Sequence, residues 1–172
     1  MSVKGHLILI GFMGSGKSTI ARKLAGRLKM KAIDMDASIA RDAGMSVKEI
    51  FEQEGEEGFR VREQAFLESM ALCKPCILSC GGGIVTRTKA RGLLKQLGTV
   101  VYLEVSADEA ISRISHPETR PLLHGSIPPS QLLEQRRPLY EEAADIIFST
   151  NGLTINQVTI QLEDLLIERG IL

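Results

Sequence analysis

Gly11-Phe12-Met13-Gly14-Ser15-Gly16-Lys17-Ser18 carries the residue types that hold a polyphosphate, and it runs directly out of the apolar stretch Leu7-Ile8-Leu9-Ile10. It fits G-x-x-x-x-G-K-[ST], the known pattern of a phosphate-binding loop. Glycines at 11, 14 and 16 open backbone conformations closed to other residues and let N–H groups come close to an anion. The positive end of a helix starting near Gly16 points at the same place. Lys17 adds a mobile charge for the outer phosphates, and the Ser18 hydroxyl suits a magnesium ion. Gly14, Ser15, Gly16, Lys17, Ser18 and Thr19 are therefore the candidate nucleotide-phosphate residues. A chance glycine pattern before ordinary first-turn residues is the plain alternative. The setting, between an apolar run and a helical stripe, argues against it.

Further along, Asp34 and Asp36 stand two apart. On an extended segment both carboxylates would point one way. One can then hold magnesium through water, while the other accepts a substrate hydroxyl's hydrogen bond or its proton. Helix capping would explain one of the pair but not both. Gly81-Gly82-Gly83 follows an apolar run, and three glycines cost backbone entropy unless something must approach the chain closely. Glu56, Arg60 and Glu63 share one helical face. A solvated ion-pair ladder is the ordinary reading of that face; charge pairing that aims a guanidinium at an anionic substrate is the sharper one. Arg120, within Thr119-Arg120-Pro121-Leu122-Leu123, can close over the phosphates and stabilise charge in phosphoryl transfer. Arg136 and Arg137 precede Pro138, which should distort or begin a helix. One of these arginines is expected to bind ligand and its neighbour to face solvent.

The elements that must position these groups follow from periodicity. Apolar runs at 7–10, 31–34, 76–79, 99–105 and 145–149 read as strands, the first buried on both faces. Between them lie helical patterns at 18–29, 39–43, from Ser46 to 72 with an interruption at Gly55, 86–97, from Ser106 or Asp108 to 114, from Ser130, and 154–169. Residues 115–129 hold Pro117, Pro121, Pro128, Pro129 and Gly125, and read as an excursion without regular structure. Alternating strands and helices imply right-handed crossovers and a parallel, doubly wound sheet. Ligands of such sheets bind beyond the carboxyl ends of the strands. The phosphate loop, Asp34-Met35-Asp36 and the three glycines all follow strand ends, so one edge should collect them.

Composition sets the bounds. The chain has 172 residues, enough for one domain across 1–172 with a core that needs no disulfide or metal staple. Its formal net charge is +0, which argues against nucleic acid or a membrane surface as a general partner. No apolar run approaches about 20 residues, so no membrane helix is expected. The start of the chain lacks a signal-peptide layout. Cys73 and Cys76 have redox-motif spacing, but the pair precedes a strand instead of opening a helix. With Cys80 they read as free thiols of a cytoplasmic protein.

Together, the residues 11–18 loop, Asp34-Met35-Asp36, Gly44-Met45-Ser46, Phe59-Arg60-x-x-Glu63, Gly81-Gly82-Gly83, Arg120-Pro121-Leu122-Leu123 and Arg136-x-Pro138-Leu139-Tyr140 resemble shikimate kinases in order and spacing, over about residues 6–150. The loop alone is shared by many families, whereas the full set is specific. The resemblance implies a three-layer α/β/α fold with a five-stranded parallel sheet, a P-loop kinase fold related to nucleoside monophosphate kinases. It implies a substrate-binding helical region at about 36–72 and a lid at about 115–129. It also implies transfer of the γ-phosphoryl of ATP to the 3-hydroxyl of shikimate, with magnesium, on the way to chorismate and the aromatic amino acids. By match, Lys17, Asp36 and Arg120 are catalytic, with Asp36 the candidate base and Arg120 on the nucleotide phosphates. Ser18 and Asp34 support magnesium. Asp36, Arg60, Arg136 and Gly81, Gly82 and Gly83 bind shikimate, the two arginines on its carboxylate. A monomer acting on small molecules is expected.

One segment departs from the pattern. Many members carry a basic residue and a proline just after the fifth strand, against adenine; here Asn151-Gly152-Leu153-Thr154-Ile155 has neither. Apolar packing by Leu153 or Ile155 would serve instead. Rival readings are a kinase for gluconate or a nucleoside monophosphate, or a nucleotide-binding module without catalysis. The first does not need the triple glycine together with Arg60 and Arg136, and intact Lys17, Ser18, Asp34, Asp36 and Arg120 speak against the second. A GTPase switch lacks its Asn-Lys-x-Asp motif.

Overall fold

The computed structural model describes residues 5–114 and 125–172. The expected alternation is present. Strands β1 (His6–Ile10), β2 (Ala32–Asp34), β3 (Ile77–Ser79), β4 (Gly98–Glu104) and β5 (Ile146–Ser149) form one parallel sheet in the order β2-β3-β1-β4-β5. Helices α1 (Lys17–Leu28), α2 (Met35–Ala43), α3 (Val47–Met70), α4 (Thr88–Leu97), α5 (Ala107–Ser112), α6 (Pro129–Ala143) and α7 (Ile155–Glu168) connect and cover it. Parallel strands need crossovers, and the helices supply them on both faces.

Strand pleating divides the core in two. Leu7 and Leu9 of β1 point to the face covered by α1 and α7, into a cluster with Leu24, Val158 and Leu162. Ile8 and Ile10 point the other way, into a cluster with Leu67, Leu94 and Tyr140 from α3, α4 and α6. Neither face of β1 reaches solvent, which is why its sequence is continuously apolar.

Helix ends follow their local signals. Ser46 and Glu49 make a reciprocal capping box at the start of α3, and Gly44 ends α2 at φ 67°. Gly55 interrupts α3 at φ 71°, ψ −178°, where the helix kinks before the half that carries Arg60 and Glu63. The stretch expected as a single helix from 86 begins with a short 3₁₀ turn, Ile84–Thr86, followed by α4.

Two expectations need correction. Pro138 does not begin a helix: α6 starts at Pro129, where a missing N–H costs nothing, and holds Pro138 in its interior. The Asp34-Met35-Asp36 segment is not extended. β2 ends at Asp34, which caps α2 directly, so Asp36 already lies in that helix's first turn. Among the described residues, no helix is long and apolar enough to cross a membrane.

Candidate active site

The sheet register places the chemistry. Leu9 and Asp34 both pair with Ser79, so β1, β3 and β2 end level with one another at their carboxyl edge. A cleft of about 1230 Å³ opens there, reaching from the phosphate loop to the kinked half of α3.

At one end, the loop leaves β1 and enters α1. Gly14 and Gly16 take φ values of 77° and 88°, a region glycine enters without penalty. At Gly14 a Cβ would also sit 2.1 Å from the Ala110 carbonyl oxygen, so α5 packs directly on the loop. The first turn of α1 has no side-chain cap and no acidic residue. Its backbone donors therefore remain available to an anion, as helix N-termini favour. Lys17 Nζ folds back over the loop, donating to Gly11 O and Phe12 O at 2.8 Å each and to Ser15 Oγ at 3.2 Å. Ser15 is wholly buried and supports the lysine, whereas Thr19 lines the cleft.

Ser18 lies beside the ends of two strands. Its hydroxyl donates to Asp34 Oδ2 at 2.5 Å, while Asp34 Oδ1 accepts from the Ala37 N–H and caps α2. With that proton committed, the Ser79 hydroxyl must be the donor in its 3.1 Å bond to Ser18 Oγ. Capping and ligation are thus compatible in Asp34, because its two oxygens serve different partners. The three hard oxygen groups suit magnesium, which keeps waters and takes one or two carboxylates plus substrate phosphates. In keeping with so sparse a site, the described residues hold no cluster of three or more His, Cys, Asp or Glu that could bind a metal by itself.

The other end is built from α3, α6 and the glycine turn. Arg60 is buried, bonding Glu63 Oε2 at 2.6 Å and Glu56 Oε1 at 3.0 Å. The ladder read from the sequence is therefore real but not solvated at Arg60. Burial opposes the arginine's charge, yet Glu63 and Glu56 outweigh it and hold its pKa above the usual range. Glu63 is itself buried, and desolvation pushes its carboxyl up to about 7. Arg60 and Arg136 pull that value down, while the nearby Asp36 adds to the rise. Among the described residues, Arg60 Nε, Glu63 Oε1 and Arg136 Nη1 are buried without a hydrogen-bond partner.

Two of the three glycines have a steric reason. None has a positive φ. At Gly83 a Cβ would stand 2.0 Å from Arg60 Nη2, and at Gly81 it would stand 2.7 Å from Asp36 Oδ1 and 3.2 Å from Glu63 Oε1. What comes close to the backbone is the charged cluster itself. Asp36, Arg60, Gly81, Gly82, Gly83 and Arg136 all line the cleft that the phosphate loop opens into. Arg137 instead faces outward, paired with Glu104 and Glu134. Arg120 and residues 115–124 of the expected lid lie outside the described residues.

Two contributors were not read from the sequence. Ser79 is the last residue of an otherwise apolar strand, and only its polarity there could have marked it. Arg113 lines the far end of the cleft with Ile114, Leu153 and Ile155. It donates to Thr150 O at 2.9 Å and Thr150 Oγ1 at 3.1 Å, tying α5 to the turn after β5. In that turn, Asn151 Oδ1 accepts from the Ser106 N–H at 2.8 Å, so the departing segment is held by capping contacts, not by a basic side chain. All three cysteines are unpaired, and burial pushes the Cys76 thiol up to about 11 and that of Cys80 well above its usual range.

Comparison with known proteins agrees with this geometry. A family model described as shikimate kinase matches residues 13–166. A shikimate kinase of Histophilus somni is 41% identical over 170 residues, covering 96% of this chain and 97% of the relative. One from Colwellia psychrerythraea is 43% identical over 155 residues, covering 88% and 90%. The structure of shikimate kinase from Acinetobacter baumannii in complex with shikimate superposes with a TM-score of 0.89 at 36% identity, covering 96% of this chain and 94% of that one. With the loop, the buried arginines and the glycine turn in place and the match nearly full length, the chain belongs to the shikimate kinase family.

Proposed function

We propose that this cleft performs the family's reaction, ATP plus shikimate giving ADP plus shikimate 3-phosphate, with roles divided by position. Lys17, the loop N–H groups and the open end of α1 hold the β- and γ-phosphates. Ser18 and Asp34 hold magnesium, with Ser79 steadying the serine. When bound, the metal neutralises charge on the phosphates. Arg60 and Arg136 bind the shikimate carboxylate through their uncommitted N–H groups, beside the Gly81-Gly82-Gly83 backbone. Asp36 faces the same space, accepts the hydrogen bond of the 3-hydroxyl and takes its proton as the phosphoryl group transfers. Arg120 serves the phosphates from the lid, and Arg113 with Leu153 and Ile155 receives the base. The unpaired thiols fit a cytoplasmic setting, and the enzyme is taken to act as a monomer.

The observation that carries the substrate assignment is the pair of buried guanidinium groups, each with an N–H lacking a protein partner, in one cleft with the phosphate loop. Buried donors are costly unless a ligand satisfies them. A small hydroxylated carboxylate does so with opposite charge as well as lone pairs, whereas an uncharged sugar offers lone pairs alone. ADP release with magnesium and ATP, compared across shikimate, gluconate and a nucleoside monophosphate, tests the reading. Turnover with shikimate alone is expected. Turnover with another acceptor and none with shikimate would overturn the roles of Arg60 and Arg136.

A further inference from the structure

Ser106-x-x-Glu109 at the start of α5 has the form of a capping box, yet only half of the box is made. The Ser106 hydroxyl accepts from the Glu109 N–H at 3.3 Å. In the complete boxes at Ser46 and Thr154, the side chain three residues on reaches back to the cap N–H. Here the Ser106 N–H donates to Asn151 Oδ1 at 2.8 Å, and the Glu109 carboxylate turns elsewhere. It accepts from the Gly152 N–H, at 3.1 Å on Oε1 and 3.2 Å on Oε2, and from Arg113 Nη2.

Arg113 completes the arrangement. Its Nη2 also donates to Thr150 O at 2.9 Å, and its Nη1 donates to Thr150 Oγ1 at 3.1 Å. The buried Thr150 hydroxyl gives its own proton to Glu104 O at 3.0 Å, so it receives the arginine through a lone pair. Both terminal nitrogens of Arg113 are thus committed. What the guanidinium has left to offer the cleft is its flat face, which suits an aromatic ring. Leu153 and Ile155, just past the turn that Glu109 holds, line the same end of the cleft. Ile155 also reaches the phosphate loop, its Cδ1 lying 2.9 Å from where a Cβ on Gly16 would stand. Glu109 itself does not line the cleft.

We propose that Glu109 is a positioning residue for the nucleotide base, clamping Arg113 of α5 and the turn at 150–153 into one wall. The inference rests on the reading of Arg113, Leu153 and Ile155 as the place that receives the base. Without the carboxylate, Arg113 keeps its charge and its Thr150 contacts but loses the acceptor on its own helix. The Gly152 N–H loses its acceptor at the same time.

Glu109→Ala, Arg113→Ala and the double variant test this, with thermal melting to check that each is folded. Calorimetry in magnesium measures binding of ADP and of pyrophosphate, which has phosphates and no base. KM values for ATP and shikimate, and kcat, are measured alongside. Glu109→Ala should weaken ADP roughly tenfold and raise the ATP KM to match, with pyrophosphate affinity, shikimate KM and kcat within about twofold. In the Arg113→Ala background the same change should cost less than about twofold, because the two side chains act as one unit. Glu109→Gln keeps the side chain's shape and carries the same comparison if the alanine variant does not fold. Unchanged ADP affinity, an equal loss for pyrophosphate, or full additivity with Arg113→Ala overturns the proposal. If Arg113→Ala alone leaves ADP binding intact, the reading of that end as the base site falls and this inference with it. That result is distinct from an Arg113→Ala loss that Glu109→Ala does not share, which overturns the positioning role alone.

Discussion

In the proposed reaction Lys17 and Asp36 serve opposite ends of the reacting groups, so their losses should differ in kind. Lys17→Ala removes the charge that bridges the loop carbonyls and is expected to abolish both turnover and tight nucleotide binding. Asp36→Asn keeps the loop intact and should abolish turnover while ATP still binds. Equal loss of ATP binding in the two variants would undo that division. Glu63 makes a second, pH-dependent prediction. Its carboxyl is raised from 4.5 to about 7 in the folded chain, so the native state binds the extra proton over that window. Stability attributable to this group is complete below pH 4.5 and lost as pH rises through about 7. The loss amounts to about 3 kcal/mol at about 1.4 kcal/mol per unit. Glu63→Gln has no such proton to lose. Its stability relative to the unaltered protein should therefore improve between pH 4.5 and pH 8, read from urea midpoints. A difference that stays constant with pH would show that Glu63 does not titrate there.

At the scale of elements, the site depends on close approach between a helix and a turn. Gly83 has φ −95° and ψ 2°, a conformation open to other residues, so Gly83→Ala strains no backbone. Its Cβ would instead occupy the place of the Arg60 guanidinium. The variant is expected to fold, to bind ATP normally, and to raise the shikimate KM roughly tenfold or more, as loss of a charge-assisted contact would. A raised ATP KM with shikimate binding unchanged would mean that the glycine turn serves the nucleotide. The kink at Gly55 belongs to the same scale, because it separates the capped start of α3 from the half that carries Arg60 and Glu63.

At the scale of the whole molecule, two ligand ends share one sheet edge. ADP with magnesium binds only the folded state, so at about a hundred times its Kd it should add about 2.7 kcal/mol, or roughly 5–10 °C in melting temperature. Adding EDTA should remove much of that increment and stop turnover, since Ser18 and Asp34 would lose the ion that links them to the phosphates. An identical shift with ADP and without magnesium would count against the metal site at those residues.

Local rules were enough for much of this protein. The loop, the alternation of strands and helices, the capping box at Ser46 and the break at Gly55 each depend on a few neighbouring residues, and each could be read from the chain alone. So could the pairing of Arg60 with Glu56 and Glu63, because helical spacing places them on one face. Other features required the fold. That Asp36 leaves an extended path for a helix turn depends on how soon β2 ends, and three residues of strand carry too little pattern to say. The role of Ser79 comes from register between strands far apart in sequence, and the need for Gly83 comes from an arginine 23 positions earlier. Arg113 meets partners about 40 residues away. Sequence records the bonding capacity of such groups. Which partner meets it is decided only when strand order and helix packing bring distant segments within hydrogen-bond distance.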